Sequence, residues 1–298
     1  MMTSREPRQG RQPSLHTVAV LLFARLLLHA IEGTYPPVGH PTTQQAGSGL
    51  TATEYRLDNG LRLVLSEDHL TPVAAVCLWY DVGSRQEVEG RTGLAHLFEH
   101  LMFQGSAQVK GNGHFELVQG AGGSLNGSTS FERTNYYETM PAHQLELALW
   151  LEADRMGSLL AALDEESMEN QRDVVKNERR QRYDNVPYGT AFERMTDLAY
   201  PEGHPYHHTP IGSMADLDAA TLDDARAFFR ANYAPNNAVL AIVGDIDPEQ
   251  TLAWVKKYFG SIPSYDGKAP PPDGGLPDII GKELRQVIEE DVPAPALM

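Results

Sequence analysis

The spacing of apolar residues alternates in some segments and follows a helical period in others, so the chain predicts both strands and helices. Alternating apolar positions flank Asn59-Gly60, a pair typical of a β-hairpin turn. The apolar run VAAVCLWY predicts a buried strand, and NAVLAIVGDI predicts another. The Thr- and Tyr-rich segment GGSLNGSTSFERTNYYETM predicts one strand that follows a turn at Gly122-Gly123.

Helical spacing recurs in longer segments. It predicts helices over residues 93–103, 142–160, 164–184, 188–200, 221–233 and 247–262. Thr221 and Asp224 form a capping-box pattern, and Asp247 followed by Pro248 is a typical helix start. Strands and helices do not alternate strictly, and hairpin signals are present. Both features favour an α+β fold over a doubly wound one.

The first 31 residues have the layout of a secretory signal peptide. Three arginines precede an apolar run over residues 18–31, which is shorter than a typical membrane span. Arg25 interrupts the run, and no small-x-small cleavage pattern follows it. We expect an exported chain, periplasmic or secreted. The alternatives are a single N-terminal anchor and a mis-assigned start codon, which would give a cytoplasmic chain.

Two stretches of turn-forming residues bound the predicted folded domain. Residues 32–53 are rich in Pro, Gly and Thr and predict a linker outside the fold, so the domain is expected over residues 54–262. Residues 263–298 begin as a second Pro/Gly-rich linker and end in a strand-like run. We expect this end to be the start of a truncated second domain.

Composition narrows the partners that the chain can bind. Its 298 residues include 40 acidic and 24 basic side chains, which give a formal charge of −16. Such a chain repels phosphate groups, and this argues against nucleic acids and anionic membranes as partners. Cys77 is the single cysteine, so no disulfide can form within the chain. We expect it to be a small core residue.

Two histidines and a glutamate share one face of the helix predicted over residues 93–103. His96, Glu99 and His100 stand at positions i, i+3 and i+4, which point in the same direction on a helix. Two imidazoles four residues apart can bind one metal ion, and H-x-x-E-H is a metallopeptidase pattern. A third ligand must come from another element, such as the helix predicted over residues 164–184. The alternative is an ordinary helix with hydrogen-bonded histidines at the edge of the core.

Two other polar clusters favour simpler interpretations. The three histidines of HPYHHTP surround a proline and have no carboxylate at ligand spacing. We therefore expect a structural or surface loop rather than a second metal site. The arginines that follow Glu178 are expected to pair with acids such as Asp173 and Asp184.

Four segments together resemble the pitrilysin/insulinase family of zinc metallopeptidases, which includes the mitochondrial processing peptidases. They are GLAHLFEHLMF, GGSLNGSTSFERTNYY, VVKNERRQRYDNVPYG and HPYHHTPIGS, and their order and spacing agree with the family. The resemblance covers residues 55–262. It implies a mixed, largely antiparallel sheet packed against helices, with residues 54–262 as the N-terminal zinc metallopeptidase domain.

The resemblance also implies a role for each matching residue. His96, His100 and Glu178 match the three protein ligands of one zinc ion per chain. Glu99 matches the catalytic base. Asn126 matches an asparagine that helps to hold the substrate backbone.

Gln171 departs from the family pattern. The family often has a second glutamate two helical turns before the third ligand, and Gln171 stands at that position. A neutral amide cannot supply the outer-shell negative charge of a carboxylate, which would weaken metal binding or change the pKa of a bound water. No ligand is lost.

The expected function is that of a zinc-dependent endopeptidase acting on peptides or extended protein segments. Glu99 would be the general base, and the strand around Asn126 would pair with the substrate. The resemblance implies that a second homologous domain or chain completes the site. The alternatives are a non-catalytic structural or partner subunit, an inactive fragment of a longer peptidase that retains zinc binding, and a plain binding module for extended peptides.

Overall fold

One seven-stranded sheet organises the part of the chain that the structure describes. The structure is a computed structural model, and it describes residues 41–45, 51–265, 283–289, 292, 294 and 296. The strands are β1 (Thr42–Gln45), β2 (Thr51–Arg56), β3 (Arg62–Glu67), β4 (Val73–Tyr80), β5 (Ser124–Thr129), β6 (Thr134–Pro141) and β7 (Ala238–Gly244). Their order is β1-β2-β3-β7-β4-β6-β5. Only β3 and β7 pair in parallel among these strands, so the sheet is largely antiparallel, as predicted.

Helices connect and cover the strands. Within the described ranges the α-helices are α1 (Leu94–Leu101), α2 (Gly113–Gly120), α3 (Leu145–Ser158), α4 (Glu165–Arg179), α5 (Ala191–Ala199), α6 (Met214–Ala219), α7 (Leu222–Asn232) and α8 (Pro248–Phe259). Short 3₁₀ turns occur at Ser84–Gln86, Ala142–Gln144, Leu159–Ala161 and Pro235–Asn237, and a π-helical turn at Arg180–Asp184 extends α4. The α+β prediction is confirmed, while α2 and α6 had no predicted counterpart.

The alternation of β4 explains where the core forms. Its even-numbered residues, from Ala74 to Tyr80, belong to the apolar core together with α3 residues such as Leu149. Cys77 points to the opposite face but is also buried, as expected. Burying such side chains is worth about 1.5–3 kcal/mol each relative to full exposure, so the sheet and α3 hold each other in place.

Several strands and helices begin or end where short sequence motifs predict it. The Asn59-Gly60 segment connects the antiparallel pair β2 and β3. Thr221 and Asp224 form the capping box of α7. Asp247 caps α8, whose first residue is Pro248.

The segment predicted as one strand after Gly122-Gly123 is a hairpin of two strands, β5 and β6. Residues 130–133 form the turn, closed by a 2.8 Å hydrogen bond from Ser130 N to Arg133 O. The Arg133 guanidinium also donates to Ser128 O at 2.9 Å. This turn contains no Gly or Pro, so its sequence lacks the usual hairpin signal.

The prediction of a linker over residues 32–53 is wrong for the residues of this range that form strands. Thr42–Gln45 is strand β1, and β2 begins at Thr51, with Thr43 aligned to Thr53. Thr favours strands, and the edge of β2 offers backbone partners to this segment. The predicted signal peptide over residues 1–31 lies outside the described residues, as does much of the predicted linker after residue 262. No helix among the described residues is long and apolar enough to span a membrane.

Candidate metal centre

The helix α1 presents His96, Glu99 and His100 away from the core. The buried residues of α1 are Leu94, Ala95, Leu97, Phe98 and Leu101. The three polar residues lie on the opposite stripe, as their i, i+3, i+4 spacing predicts. Packing of the apolar stripe therefore fixes the direction in which the two imidazoles point.

Glu178 brings a carboxylate from α4 to these imidazoles. Its Oε2 lies 3.3 Å from His100 Nε2 and 3.8 Å from His96 Nε2. Each of the three residues offers a ligand atom, and these atoms all lie within 4.8 Å of one another. The residues proposed as ligands from the sequence thus converge in the structure.

The donor set fits a zinc ion. Ligands at about 2.0–2.1 Å in a tetrahedral arrangement lie roughly 3.3 Å from each other, close to the separations of the Glu178 oxygen from the two imidazoles. Two imidazoles and one carboxylate are also the set that many catalytic zinc sites use, with a fourth position open. His96, His100 and Glu178 are therefore the residues that could hold the metal.

The protonation of His96 and Glu178 suits metal binding. Burial, followed by the charge of His100, lowers the pKa of His96 to about 4, so its imidazole is neutral at pH 7. The hydrogen bond with His100 lowers the pKa of Glu178, which is therefore ionised. Metals bind neutral imidazoles and ionised carboxylates.

Arg182 is a neighbour of this centre, and it pairs with Glu178 rather than with the acids expected from the sequence. Its Nη1 lies 2.6 Å from Glu178 Oε1, while the other carboxylate oxygen faces the histidines. The two residues are four apart, a spacing that signals pairing on a helix. Arg179 does contact Asp184, at 3.6 Å, but its shorter contact is with Glu193, at 3.0 Å.

Glu99 lies beside the candidate ligands, and a strand residue holds its carboxylate. Thr129 on β5 donates a 2.6 Å hydrogen bond to Glu99 Oε2. Burial raises the pKa of Glu99, and this hydrogen bond opposes the rise. A carboxylate with a raised pKa beside a metal site is suited to accept and release a proton. No sequence signal identified Thr129, because its contact depends on how β5 packs on α1.

A cavity of about 580 Å³ opens above these side chains. Its lining includes His96, Glu99, His100, Glu178, Gln171, Arg182, Phe103, Phe115, Tyr137 and the β5 residues 126–129. In the described part of the chain β5 pairs with β6 alone, so it is an edge strand beside the site. An edge strand can accept an extended peptide through its free backbone groups.

Asn126 and Gln171 both border this cavity. Asn126 is exposed on β5, and its Oδ1 accepts a 2.9 Å hydrogen bond from Gly127 N. Gln171 is 6% exposed and lies seven residues before Glu178, on the same side of α4. At Gly127 a β-carbon would lie 3.1 Å from Glu99 Cγ, so the glycine lets the strand approach the helix closely.

The histidines of HPYHHTP lie in a loop between α5 and α6. His204 is buried and its ring stacks on Tyr200. His208 Nε2 lies 2.9 Å from Glu87 Oε2. Within the described residues, the candidate metal cluster is the one formed by His96, His100 and Glu178.

Two family profiles match the sequence. The family described as Insulinase (Peptidase family M16) matches residues 62–204. The domain described as Peptidase M16 inactive domain matches residues 219–298. Together they cover most of the described fold, including α1 and α4.

Individual proteins and a solved structure agree with these matches. The zinc protease PqqE of Helicobacter pylori is 40% identical over 216 residues, which are 72% of this chain and 48% of that protein. The mitochondrial-processing peptidase subunit beta of Saccharomyces cerevisiae is 30% identical over 74% of this chain and 48% of its own length. The crystal structure of a protease from Helicobacter pylori superposes with a TM-score of 0.70 at 37% identity, over 79% of this chain and 54% of that chain. The chain thus spans about half the length of the relatives it matches.

Proposed function

Because the chain belongs to the insulinase (M16) family of peptidases, we propose that it is a zinc-dependent endopeptidase acting on peptides or extended protein segments. The observation that carries the proposal is the convergence of His96, His100 and Glu178 beside the Glu99 carboxylate. One zinc ion per chain would polarise the attacking water and the scissile carbonyl when bound. The rest of the proposed mechanism uses groups of the chain itself.

Glu99 is the proposed general base and acid. Its carboxylate removes a proton from the attacking water and delivers it to the leaving amine nitrogen. The raised pKa of Glu99 brings its proton affinity closer to that of the groups it serves. The hydrogen bond from Thr129 holds the carboxylate in one orientation during both transfers.

The edge strand β5 is the proposed substrate guide. An extended peptide would add to the sheet beside β5, and the Asn126 amide would donate a hydrogen bond to its backbone. Since backbone groups make these contacts, we expect loose sequence specificity. Gln171 is the proposed outer-shell neighbour of Glu178 and contributes no charge.

A cleavage assay with an internally quenched peptide, blocked at both ends, tests the proposal. We expect cleavage that a chelator abolishes and added zinc restores. The Glu99→Gln variant should keep one zinc per chain, measured by inductively coupled plasma mass spectrometry, and lose cleavage. Unchanged cleavage by this variant would show that the base assignment is wrong, and cleavage that resists chelation would refute the metal mechanism.

A second candidate function follows from the length of the chain. It spans about half of its relatives, so we also consider a zinc-binding partner subunit or fragment that needs a second homologous domain or chain for activity. Stoichiometric zinc without peptide cleavage would favour this function over an independent peptidase. Cleavage by the chain alone would exclude it.

Export remains a further proposal, supported by the three N-terminal arginines and the apolar run over residues 18–31. Fractionation of bacterial cells that express the 298-residue chain tests it. We expect the chain in the periplasm or medium, and a variant without residues 2–31 in the cytoplasm. Equal distribution of both forms would contradict export.

A further inference from the structure

We propose that the loop of residues 207–213 is a clamp that sets the distance between the two helices bearing the metal ligands. Its positioning residues are His208, Glu87 and Arg179. The loop contacts the start of α1, which carries His96 and His100, and the end of α4, which carries Glu178. The inference rests on the proposed metal site.

The first arm of the clamp ends on the backbone of α1. Glu87 is fully buried at its side chain, and its carboxylate accepts hydrogen bonds from Gly93 N at 2.9 Å and Ala95 N at 2.7 Å. The first amides of a helix have no partners within the helix, and a negative charge there is favourable. Ala95 directly precedes His96, so Glu87 fixes the backbone that carries the first ligand.

His208 connects Glu87 to the loop. Its Nε2 lies 2.9 Å from Glu87 Oε2 and 3.2 Å from Ser84 O. A carbonyl oxygen can only accept, so Nε2 carries the hydrogen and donates to both groups. Removal of this donor would leave the Glu87 carboxylate without its side-chain partner in a buried place, which is costly.

The loop backbone itself lies against the start of α1. Gly212 and Gly93 have positive φ angles of 70° and 88°. A β-carbon on Gly212 would lie 2.3 Å from Gly93 N, so no other residue fits there without a shift. Thr92 adds a side-chain contact, since its Oγ1 accepts a 3.1 Å hydrogen bond from Ser213 N and donates to Asp216.

The second arm ends on α4. Arg179 Nη1 donates a 2.6 Å hydrogen bond to Gly212 O. The same guanidinium is oriented by Glu193, with contacts of 3.0 Å from each Nη nitrogen. Arg179 follows Glu178 in the sequence, so the loop is connected to the backbone at the third ligand.

A continuous set of contacts therefore runs from α1 through the loop to α4. Metal ligands must be held to within about 0.5 Å, whereas packed helices can shift by about 1–2 Å relative to each other. The HPYHHTPIGS segment, which has no ligand role, thereby acquires a function. It affects zinc affinity by setting the separation of the two helices, and it contacts neither metal nor substrate.

Zinc affinity of the purified 298-residue chain tests the clamp. The dissociation constant is measured by competition with a chromophoric chelator, and thermal unfolding of the metal-free protein is followed in parallel. His208→Ala should weaken zinc binding by roughly 10- to 100-fold, the range found for outer-shell changes. His208→Gln, which keeps an N–H donor, should recover most of the affinity. The control His143→Ala, an exposed histidine in the Ala142–Gln144 turn, should bind zinc like the wild type.

A merely structural role would give a different result. His208→Ala would then unfold at a lower temperature, but the folded protein would bind zinc with the wild-type constant, and this overturns the clamp. If His208→Ala does not fold, Arg179→Lys replaces it, because Arg179 connects α4 to Gly212 O. Zinc affinity should fall with Arg179→Lys. An unchanged zinc constant in a folded Arg179→Lys protein overturns the clamp.

Failure of the clamp and failure of the proposed function are distinguishable in this experiment. A wild-type chain that binds no zinc contradicts the proposed function and the clamp with it. A wild-type chain that binds zinc, with every variant equally tight, contradicts the clamp alone.

Discussion

The hydroxyl of Thr129 donates a 2.6 Å hydrogen bond to the carboxylate of Glu99. This contact joins the edge strand β5 to the helix α1 at the residue proposed as the base. Thr129 therefore orients Glu99 and stabilises its ionised form, against the effect of burial.

Replacement of Thr129 by Val should impair turnover without loss of zinc. Val has the same shape but no hydroxyl, so the Glu99 carboxylate loses a donor and its pKa rises further. We expect kcat to fall about tenfold, equivalent to about 1.4 kcal/mol, and the acid limb of the pH–rate profile to move to higher pH. The limb moves in that direction because Glu99 must be ionised to accept a proton.

The matched control for this change is Thr129→Ser, which retains a hydroxyl and should keep most of the activity. Steady-state kinetics across pH, with zinc content measured on the same samples, checks both variants. An acid limb that does not move in Thr129→Val would mean that the hydroxyl does not act on the base.

Glu178→Gln should reduce zinc affinity much more than it reduces folding stability. The amide cannot supply the ionised oxygen that lies 3.3 Å from His100 Nε2 and 3.8 Å from His96 Nε2. We expect the dissociation constant for zinc to rise at least about 100-fold, measured by chelator competition. Glu169→Gln is the matched control, since Glu169 is an exposed residue of the same helix. Equal affinities for both variants would remove Glu178 from the ligand set.

Gln171→Glu should strengthen zinc binding. Position 171 borders the cavity on the same side of α4 as Glu178, and a carboxylate there would add negative charge close to the cation. We expect a gain of roughly tenfold in affinity, at some cost in stability of the metal-free protein because the side chain is buried. Asn170→Asp makes the same chemical change, amide to carboxylate, at the exposed position directly before Gln171. It should have little effect on zinc affinity. An unchanged zinc constant in Gln171→Glu would argue against any outer-shell role for position 171.

The local parts of the fold could be predicted from the sequence. The i, i+3, i+4 spacing of His96, Glu99 and His100 needs only helical geometry, and α1 confirms the helix. The caps of α7 and α8 and the β2–β3 hairpin likewise depend on residues close together in the chain. The position of Glu178 came from family resemblance, because no local rule connects it to α1.

Contacts between segments that are distant in the chain could not be predicted from the sequence. Thr129 meets Glu99 only because β5 packs on α1, and Arg179 meets Gly212 only because the loop returns to α4. The turn between β5 and β6 has no Gly or Pro, so its sequence predicts one continuous strand where the structure has a hairpin. The composition around strand β1 predicts a linker, because the pairing of this strand depends on the neighbouring edge of β2.

A buried carboxyl group under the sheet gives a pH-dependent prediction that is independent of the metal. Glu138 on β6 faces Glu152 and Arg155 of α3, and all three side chains are almost completely buried. Burial, followed by the charge of Glu152, raises the pKa of Glu138 well above its usual range. Arg155 donates to Glu152 through both Nε, at 2.9 Å, and Nη2. Its charge lowers the pKa of Glu138 by less than burial and Glu152 raise it. Protonated Glu138 is therefore the form that this network favours.

Glu138→Gln should remove a loss of stability that the wild type suffers as pH rises. Above the usual glutamate pKa the unfolded chain releases the Glu138 proton while the folded chain retains it, so the wild type loses stability with rising pH. The slope is at most about 1.4 kcal/mol per pH unit, until pH reaches the folded-state pKa. The glutamine resembles the protonated acid and does not titrate. The free energy of unfolding of Glu138→Gln minus that of the wild type should therefore increase between pH 5 and pH 7, by up to about 3 kcal/mol. Urea unfolding of the metal-free proteins at several pH values measures this difference, with the exposed change Glu166→Gln as control. Parallel stability curves for wild type and Glu138→Gln would mean that Glu138 is ionised in the folded protein.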